Sequence, residues 1–143
     1  MKAIRHTGIV VSDLERALHF YVELLGLKVM KRMDESGEYI GNISGSKNVM
    51  VTTVKMAAED GNLIELLYYH SHTQKPARVR EICETGISHI AFTVENVDAE
   101  YERLSKAGVQ FNSLPQRSPD GYAKVTFCRD PDGTLIELVE LLN

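Results

Sequence analysis

The apolar positions along the chain change their spacing in an ordered way, and they do so twice. Residues 3–11 form an apolar run rich in β-branched side chains, bounded by Ser12-Asp13, which predicts a strand. Ser12 and Glu15 fit a capping box. Leu14, Ala17, Leu18, Tyr21 and Leu25 then follow helical spacing, and Gly26 supplies the stop. The stretch 27–43 predicts a further, shorter strand. Residues 48–56 and 62–69 predict two more, joined by a turn at Glu59-Asp60-Gly61. The same order returns downstream. A strand is expected over 87–94, and a helix capped by Asn96 runs to about Lys106 and stops at Gly108. Strands follow near 109–114, 122–128 and 134–141. Asp130-Pro131-Asp132-Gly133 carries strong turn chemistry. Between the halves, Pro76 suits the first turn of a helix over 76–84.

Each half therefore reads as βαβββ, and the residues themselves repeat. Residues 60–67 are DGNLIELL and residues 132–139 are DGTLIELV, identical at six of eight positions. His6 opens HTGIVVSDLERALHFYVELLGLKV, and His89 opens HIAFTVENVDAEYERLSKAGVQF. Both begin with a His and a short apolar run, continue through an amphipathic stretch, and reach a Gly before the next apolar run. His6 and Glu65 are 59 residues apart and His89 and Glu137 are 48 apart, which places an 11-residue excess in the first copy, around residues 31–48. The expected class is α+β, with modules at about 1–70 and 86–143 and a helical connection over about 71–85.

Composition changes this picture little. The chain has 143 residues, 43% hydrophobic and 25% charged, with a formal net charge of −4. These are the proportions of an ordinary globular domain. A weak negative charge without a dense Lys/Arg run speaks against nucleic acid as a partner. No apolar stretch approaches the ~18 residues of a membrane span. No basic n-region with an apolar core follows Met1, so a cytoplasmic protein is expected. Cys83 and Cys128 lack CxxC spacing and read as free thiols in a reducing compartment.

The candidate chemistry lies in the repeated His…Glu pair. Side chains alternate across a strand, so Glu65 stands on the face opposite Ile64 and Leu66, and Glu137 opposite Ile136 and Leu138. The same alternation puts His6 with Gly8 and Val10, and His89 with Ala91 and Thr93. A carboxylate inside an apolar strand is costly unless it is paired or metal-bound. Two modules related by a pseudo-twofold would bring two imidazoles and two carboxylates together. That donor set suits a divalent transition metal, and Zn, Ni, Co, Mn and Fe(II) all accept it. His6, Glu65, His89 and Glu137 are the expected ligands.

Other residues carry weaker signals. His19 is expected on the outer side of the first helix. His70 and His72, in YYHSHTQKP, form an H-x-H that reads as a solvated loop, with a second metal site as the alternative. Tyr68 and Tyr69 are candidates to line a pocket, with aromatic packing the default. Lys55, Arg117 and Lys124 are candidates to contact a substrate anion, with solvated surface the default for each. DPDG lacks EF-hand spacing, which speaks against calcium.

HTGIVVSDLERALHFYVELLGLKV, LIELLYY, SHIAFTVENVDAEYERLSKAGV and FCRDPDGTLIELVE together resemble the vicinal oxygen chelate superfamily. That superfamily includes glyoxalase I, methylmalonyl-CoA epimerase, extradiol dioxygenases and fosfomycin-resistance proteins. The resemblance spans nearly the whole chain. It implies two βαβββ modules forming a cup-shaped mixed sheet around one divalent metal, with His6, Glu65, His89 and Glu137 as ligands. It implies a small-molecule substrate with two neighbouring oxygens and a homodimer, in which the ligands come from one chain or from two. Having Glu65 is similar to glyoxalase I, whereas the dioxygenases lack a ligand at that position. Bacterial glyoxalase I also carries a glutathione-binding Arg four residues after the first His and an Asn four after the first Glu. This chain has Val10 and Tyr69 there. The inserted segment between modules is similar to the epimerase, which usually has Gln in place of Glu65.

The activity so implied is that of a metal-dependent isomerase, epimerase or lyase working through an enolate or enediolate. By resemblance to glyoxalase I, Glu137 is the first candidate for the catalytic base and Glu65 the second. The alternatives are an extradiol-type Fe(II) dioxygenase, a drug-resistance transferase, or a drug-binding protein without catalysis.

Overall fold

The computed structural model describes residues 1–72, 74 and 78–142. The fold is α+β, in two tandem units, residues 1–77 and 78–143. The first unit runs β1 (Thr7–Val10), α1 (Leu14–Leu18), β2 (Lys28–Ser36), α2 (Glu38–Ser44), β3 (Met50–Ala57) and β4 (Leu63–Tyr69). Its sheet has the order β1-β4-β3-β2, with β1 parallel to β4 and the other pairs antiparallel. The second unit runs β5 (His89–Thr93), α3 (Val97–Lys106), β6 (Gln116–Arg117), β7 (Ala123–Arg129) and β8 (Leu135–Leu141). Its order is β5-β8-β7-β6, again with the first and last strands parallel. The duplication expected from the sequence is therefore present in strand order and direction.

Local chemistry explains where the elements begin and end. Helix α1 is capped by Asp13, whose carboxylate accepts from the Arg16 N–H at 3.0 Å, rather than by Ser12. An Asp serves as well as a Ser at this position and adds a negative charge at the positive helix end. The following residues, His19–Leu24, form a π-helical turn in which the Leu25 N–H donates to the Phe20 carbonyl five residues back, at 2.9 Å. Widening the turn brings both Phe20 and Tyr21 into the core, edge to face at 5.0 Å. A regular helical count had assigned only Tyr21. Helix α3 starts where expected, with the Asn96 side chain accepting from the Ala99 N–H at 2.9 Å.

Three expectations need correction. The segment 27–43 holds a nine-residue strand, β2, followed by the start of α2, a helix absent from the sequence reading. Tyr39 and Ile43 of α2 are exposed and only Ile40 is buried, so the helix shows no apolar stripe. The strand expected near 109–114 is reduced to a single bridge, Phe111 with Cys128. Beyond it, bends lead to Pro115, which has no N–H to give a ladder. The expected helix over 76–84, and the helical connection over 71–85, are not present among the described residues, and Pro76 lies outside them. Residues 78–85 are irregular. The Glu84 carboxylate is drawn into local contacts with Arg78, Arg80 and the Glu81 N–H. Such side-chain bonds compete with a helical ladder. Val79 and Ile82 are exposed, so a helix here would bury no face.

In each unit the core lies chiefly under one sheet face. Ile64, Leu66, Val54 and Met56 are buried on one side of the first sheet, and α1 packs against β4. Ile136, Leu138 and Cys128 are buried in the second, where α3 packs against β7 and β8. No described helix is long and apolar enough to cross a membrane. Cys83 is exposed and Cys128 is buried, both as free thiols. Burial, and secondarily the Asp130 charge, push the Cys128 thiol up to about 12. Ellman's reagent at pH 8 will therefore titrate one thiol in the native protein and two after unfolding. Two fast thiols in the native protein would contradict this assignment of Cys128.

Candidate functional site

The sheet face opposite α1 in the first unit, and opposite α3 in the second, carries the repeated polar residues. In β1 and β4, Gly8 pairs with Glu65, and in β5 and β8, Ala91 pairs with Glu137. Each Glu thus lies beside the small residue two positions after a His, on the same sheet face. The consequence is a close contact in each unit. His6 Nε2 is 3.0 Å from Glu65 Oε2, and His89 Nε2 is 3.1 Å from Glu137 Oε2. The imidazoles are 32% and 33% exposed, and the carboxylates 12% and 20%, so the two pairs match in setting as well as in distance. An imidazole nitrogen and a carboxylate oxygen this close are in direct ion-pair or hydrogen-bond contact, and both are atoms that a divalent ion accepts as ligands. That is the donor chemistry of a divalent metal site. Among the described residues no three His, Cys, Asp or Glu side chains form one group. The structure brings the four expected residues together as two pairs, one in each unit.

The surroundings of the pairs differ. His89 Nδ1 lies 2.7 Å from Ser88 Oγ, and the Phe127 ring meets the imidazole edge to face at 5.2 Å. A partner on the second ring nitrogen fixes which nitrogen is presented. Lys55 Nζ is 3.4 Å from Glu65 Oε1. Lys55 pairs with Glu65 across β3 and β4, and Phe127 pairs with Glu137 across β7 and β8. The two halves therefore place an ammonium and a phenyl ring at the same structural position. Near the end of the Glu65 face, Ile40 of α2 packs with Val49, Val51, Leu67 and Tyr69. The 11-residue excess of the first copy thus includes a helix that covers part of this face. Gly8 gives Leu67 room, since a Cβ there would lie 3.1 Å from Leu67 Cδ1 and the leucine would have to shift. The second copy has Ala91 with the smaller Val139 instead.

The other candidates lie elsewhere. His19 is exposed in the π-helical turn, 2.6 Å from Glu23. His70 Nε2 is 2.8 Å from Thr52 Oγ1, which donates to Asp34 at 2.5 Å. His72 Nδ1 is 2.6 Å from Ser71 Oγ. These contacts engage His70 and His72 separately. Lys124 is ion-paired with Asp98 of α3, on the helix side of its sheet, and Arg117 pairs in register with Lys124. Of the three cations singled out in the sequence, only Lys55 stands beside a His–Glu pair. Sequence reasoning missed Ser88 and Phe127 as neighbours of His89. Phe127 was readable only once the β7–β8 register was known, while Ser88 simply precedes the His.

The model of the Glyoxalase/Bleomycin resistance protein/Dioxygenase superfamily matches residues 3–138. The chain belongs to that superfamily. This glyoxalase-superfamily chain is similar to a glyoxalase family protein from Bacillus cereus, at a TM-score of 0.91 and 28% identity, covering 100% of this chain and 96% of that one. It is 31% identical to a lactoylglutathione lyase of Schizosaccharomyces pombe, over 95% of this chain and 46% of the relative. It thus spans about half the length of that protein. A probable lactoylglutathione lyase of Vibrio parahaemolyticus is 28% identical over 96% of this chain and 89% of the relative. Within the superfamily chain the paired His–Glu geometry occurs once per module, and the Lys55–Phe127 difference is where its two modules part in chemistry.

Proposed function

We propose that the protein is a metal-dependent enzyme of the glyoxalase type, an isomerase or lyase that moves a proton at carbon next to a carbonyl. The observation that carries this reading is the His–Glu contact, repeated in both units in one register at 3.0 and 3.1 Å. Names borne by relatives along nearly the whole chain support it, since one is a lactoylglutathione lyase and two are named probable lactoylglutathione lyases. His6, Glu65, His89 and Glu137 would hold one divalent ion, from one chain or from two. Such an ion, when bound, supplies Lewis acidity to two neighbouring substrate oxygens.

The remaining chemistry belongs to the chain. Glu65 is held at both oxygens, by His6 and by Lys55, and is the more buried carboxylate. Glu137 is the more exposed and has the uncharged Phe127 beside it. Glu137 is therefore the carboxylate better suited to accept a proton from carbon and return it. His6 and His89 orient, and Ser88 and Phe127 hold the His89 ring. The substrate is small and need not be a glutathione adduct, because Val10 and Tyr69 offer no charged or amide group where glutathione is bound in bacterial glyoxalase I.

The test is proton exchange with solvent. In D₂O, protein loaded with Zn, Ni, Co or Mn will exchange the carbon-bound proton of at least one α-hydroxy or α-keto compound, followed by NMR. The panel includes the hemithioacetal of methylglyoxal and glutathione. Chelation by EDTA will stop the exchange and metal will restore it. Oxygen uptake with catechols and Fe(II), without exchange on any panel member, would overturn this reading in favour of a dioxygenase.

A further inference from the structure

We infer that Lys55 makes the site selective for a chelating substrate that carries one negative charge, an α-hydroxy or α-keto carboxylate in class. The inference rests on the metal-site reading above. Lys55 Nζ lies 3.4 Å from Glu65 Oε1, with its side chain 35% exposed on the open face of the first sheet. In the protein by itself the ammonium and the carboxylate balance one another. A divalent ion held by His6 and Glu65 would take up the Glu65 charge, and the neutral imidazole would add none. The Lys55 ammonium would then lose its counter-charge and stand as a positive charge beside that ion. Charges this close interact appreciably even at a half-exposed site. The free energy recovered by an anionic group is greatest directly next to the chelating oxygens.

The duplication supplies an internal control. At the matching position of the second unit the chain has Phe127, which packs on His89 at 5.2 Å and carries no charge. Nothing in the shared fold requires a cation there. Lys124 is tied to Asp98, and neither it nor Arg117 lies on the Glu137 face. Lys55 alone among these three cations is placed to read the charge of a ligand.

Oxamate and oxamide have nearly the same shape and the same pair of neighbouring oxygens, but oxamate is an anion and oxamide is neutral. Each is titrated into Co(II)-loaded native protein, Lys55→Met and Lys55→Arg, and binding is followed by the cobalt visible spectrum and by calorimetry. Lys55→Met is expected to weaken oxamate about tenfold, the scale of one charge–charge contact at partial exposure, and to leave oxamide unchanged. Lys55→Arg will keep the preference for oxamate. Bare Co(II) will bind Lys55→Met at least as tightly as native protein, since a repelling charge is gone. An equal loss for oxamate and oxamide, or no loss for either, overturns the assignment of Lys55 while leaving the metal site standing. Failure of native protein to take up Co(II) at all removes the site itself, and the role of Lys55 with it.

Discussion

Changing Glu65 and Glu137 together to Gln will abolish binding of divalent metal. The affinity of native protein will fall by at least about a thousandfold, since even partners outside the first shell of a metal are worth about 10–100-fold each. The reason lies in the pairing. Each carboxylate meets an imidazole nitrogen at 3.0 or 3.1 Å, so each supplies the charge that a lone imidazole cannot. A Gln keeps one oxygen and the shape but removes the charge that attracts a cation. Competition with a chromophoric chelator, together with metal analysis of dialysed protein, gives the affinity. Circular dichroism checks that the variant is folded. The single variants should fall between the native protein and the double variant. A doubly substituted protein that still binds divalent ions like the native one would rule out these four side chains as ligands.

Much of this site was legible because a duplication writes the same constraint twice. LIEL at 63–66 and at 135–138 fixes both the strand and the face of the Glu in each copy. The placement of His6 and His89 relative to Gly8 and Ala91 follows from strand alternation alone. Whatever depended on register was less legible. Lys55 and Phe127 differ in kind yet occupy one structural position, and only the β3–β4 and β7–β8 pairings reveal it. Helix α2 was hidden because a single buried residue, Ile40, anchors it, and one anchor leaves no periodicity. The π-helical turn at 19–24 was hidden for a related reason. It shifts the helical count by one residue, so that Phe20 joins the core although it lies six residues after Leu14, at the edge of the stripe that Leu14, Leu18, Tyr21 and Leu25 make on a regular count. The connection at 76–84 misled because Pro76 is a good first-turn residue, while the charges of Arg78, Arg80 and Glu84 found one another locally.

Leu66→Ala and Leu138→Ala will each cost about 2–5 kcal/mol of folding stability, the range for emptying a well-packed leucine site. Both side chains are almost fully buried, at 0% and 2% exposure. They occupy the same place in the two copies, each directly following a candidate ligand Glu along the strand and pointing to the opposite face. A domain of this kind is stable by only about 5–15 kcal/mol, so either change removes a large fraction of the total. Urea unfolding will show a lower midpoint with an unchanged slope, because the surface exposed on unfolding hardly alters. Val10→Ala, on the open face at 54% exposure, should stay within about 0.5 kcal/mol of native under the same conditions. The contrast carries the structural claim. If the face with Glu65 were the packed one, Val10 would be the costly substitution and Leu66 the cheap one. The leucines also anchor the glutamates, because a strand that packs on one face holds the side chains of its other face in register. Leu66→Ala should thus loosen metal binding through Glu65, by less than Glu65→Gln does, and a variant with native metal affinity and native stability would show that this packing does not hold the site.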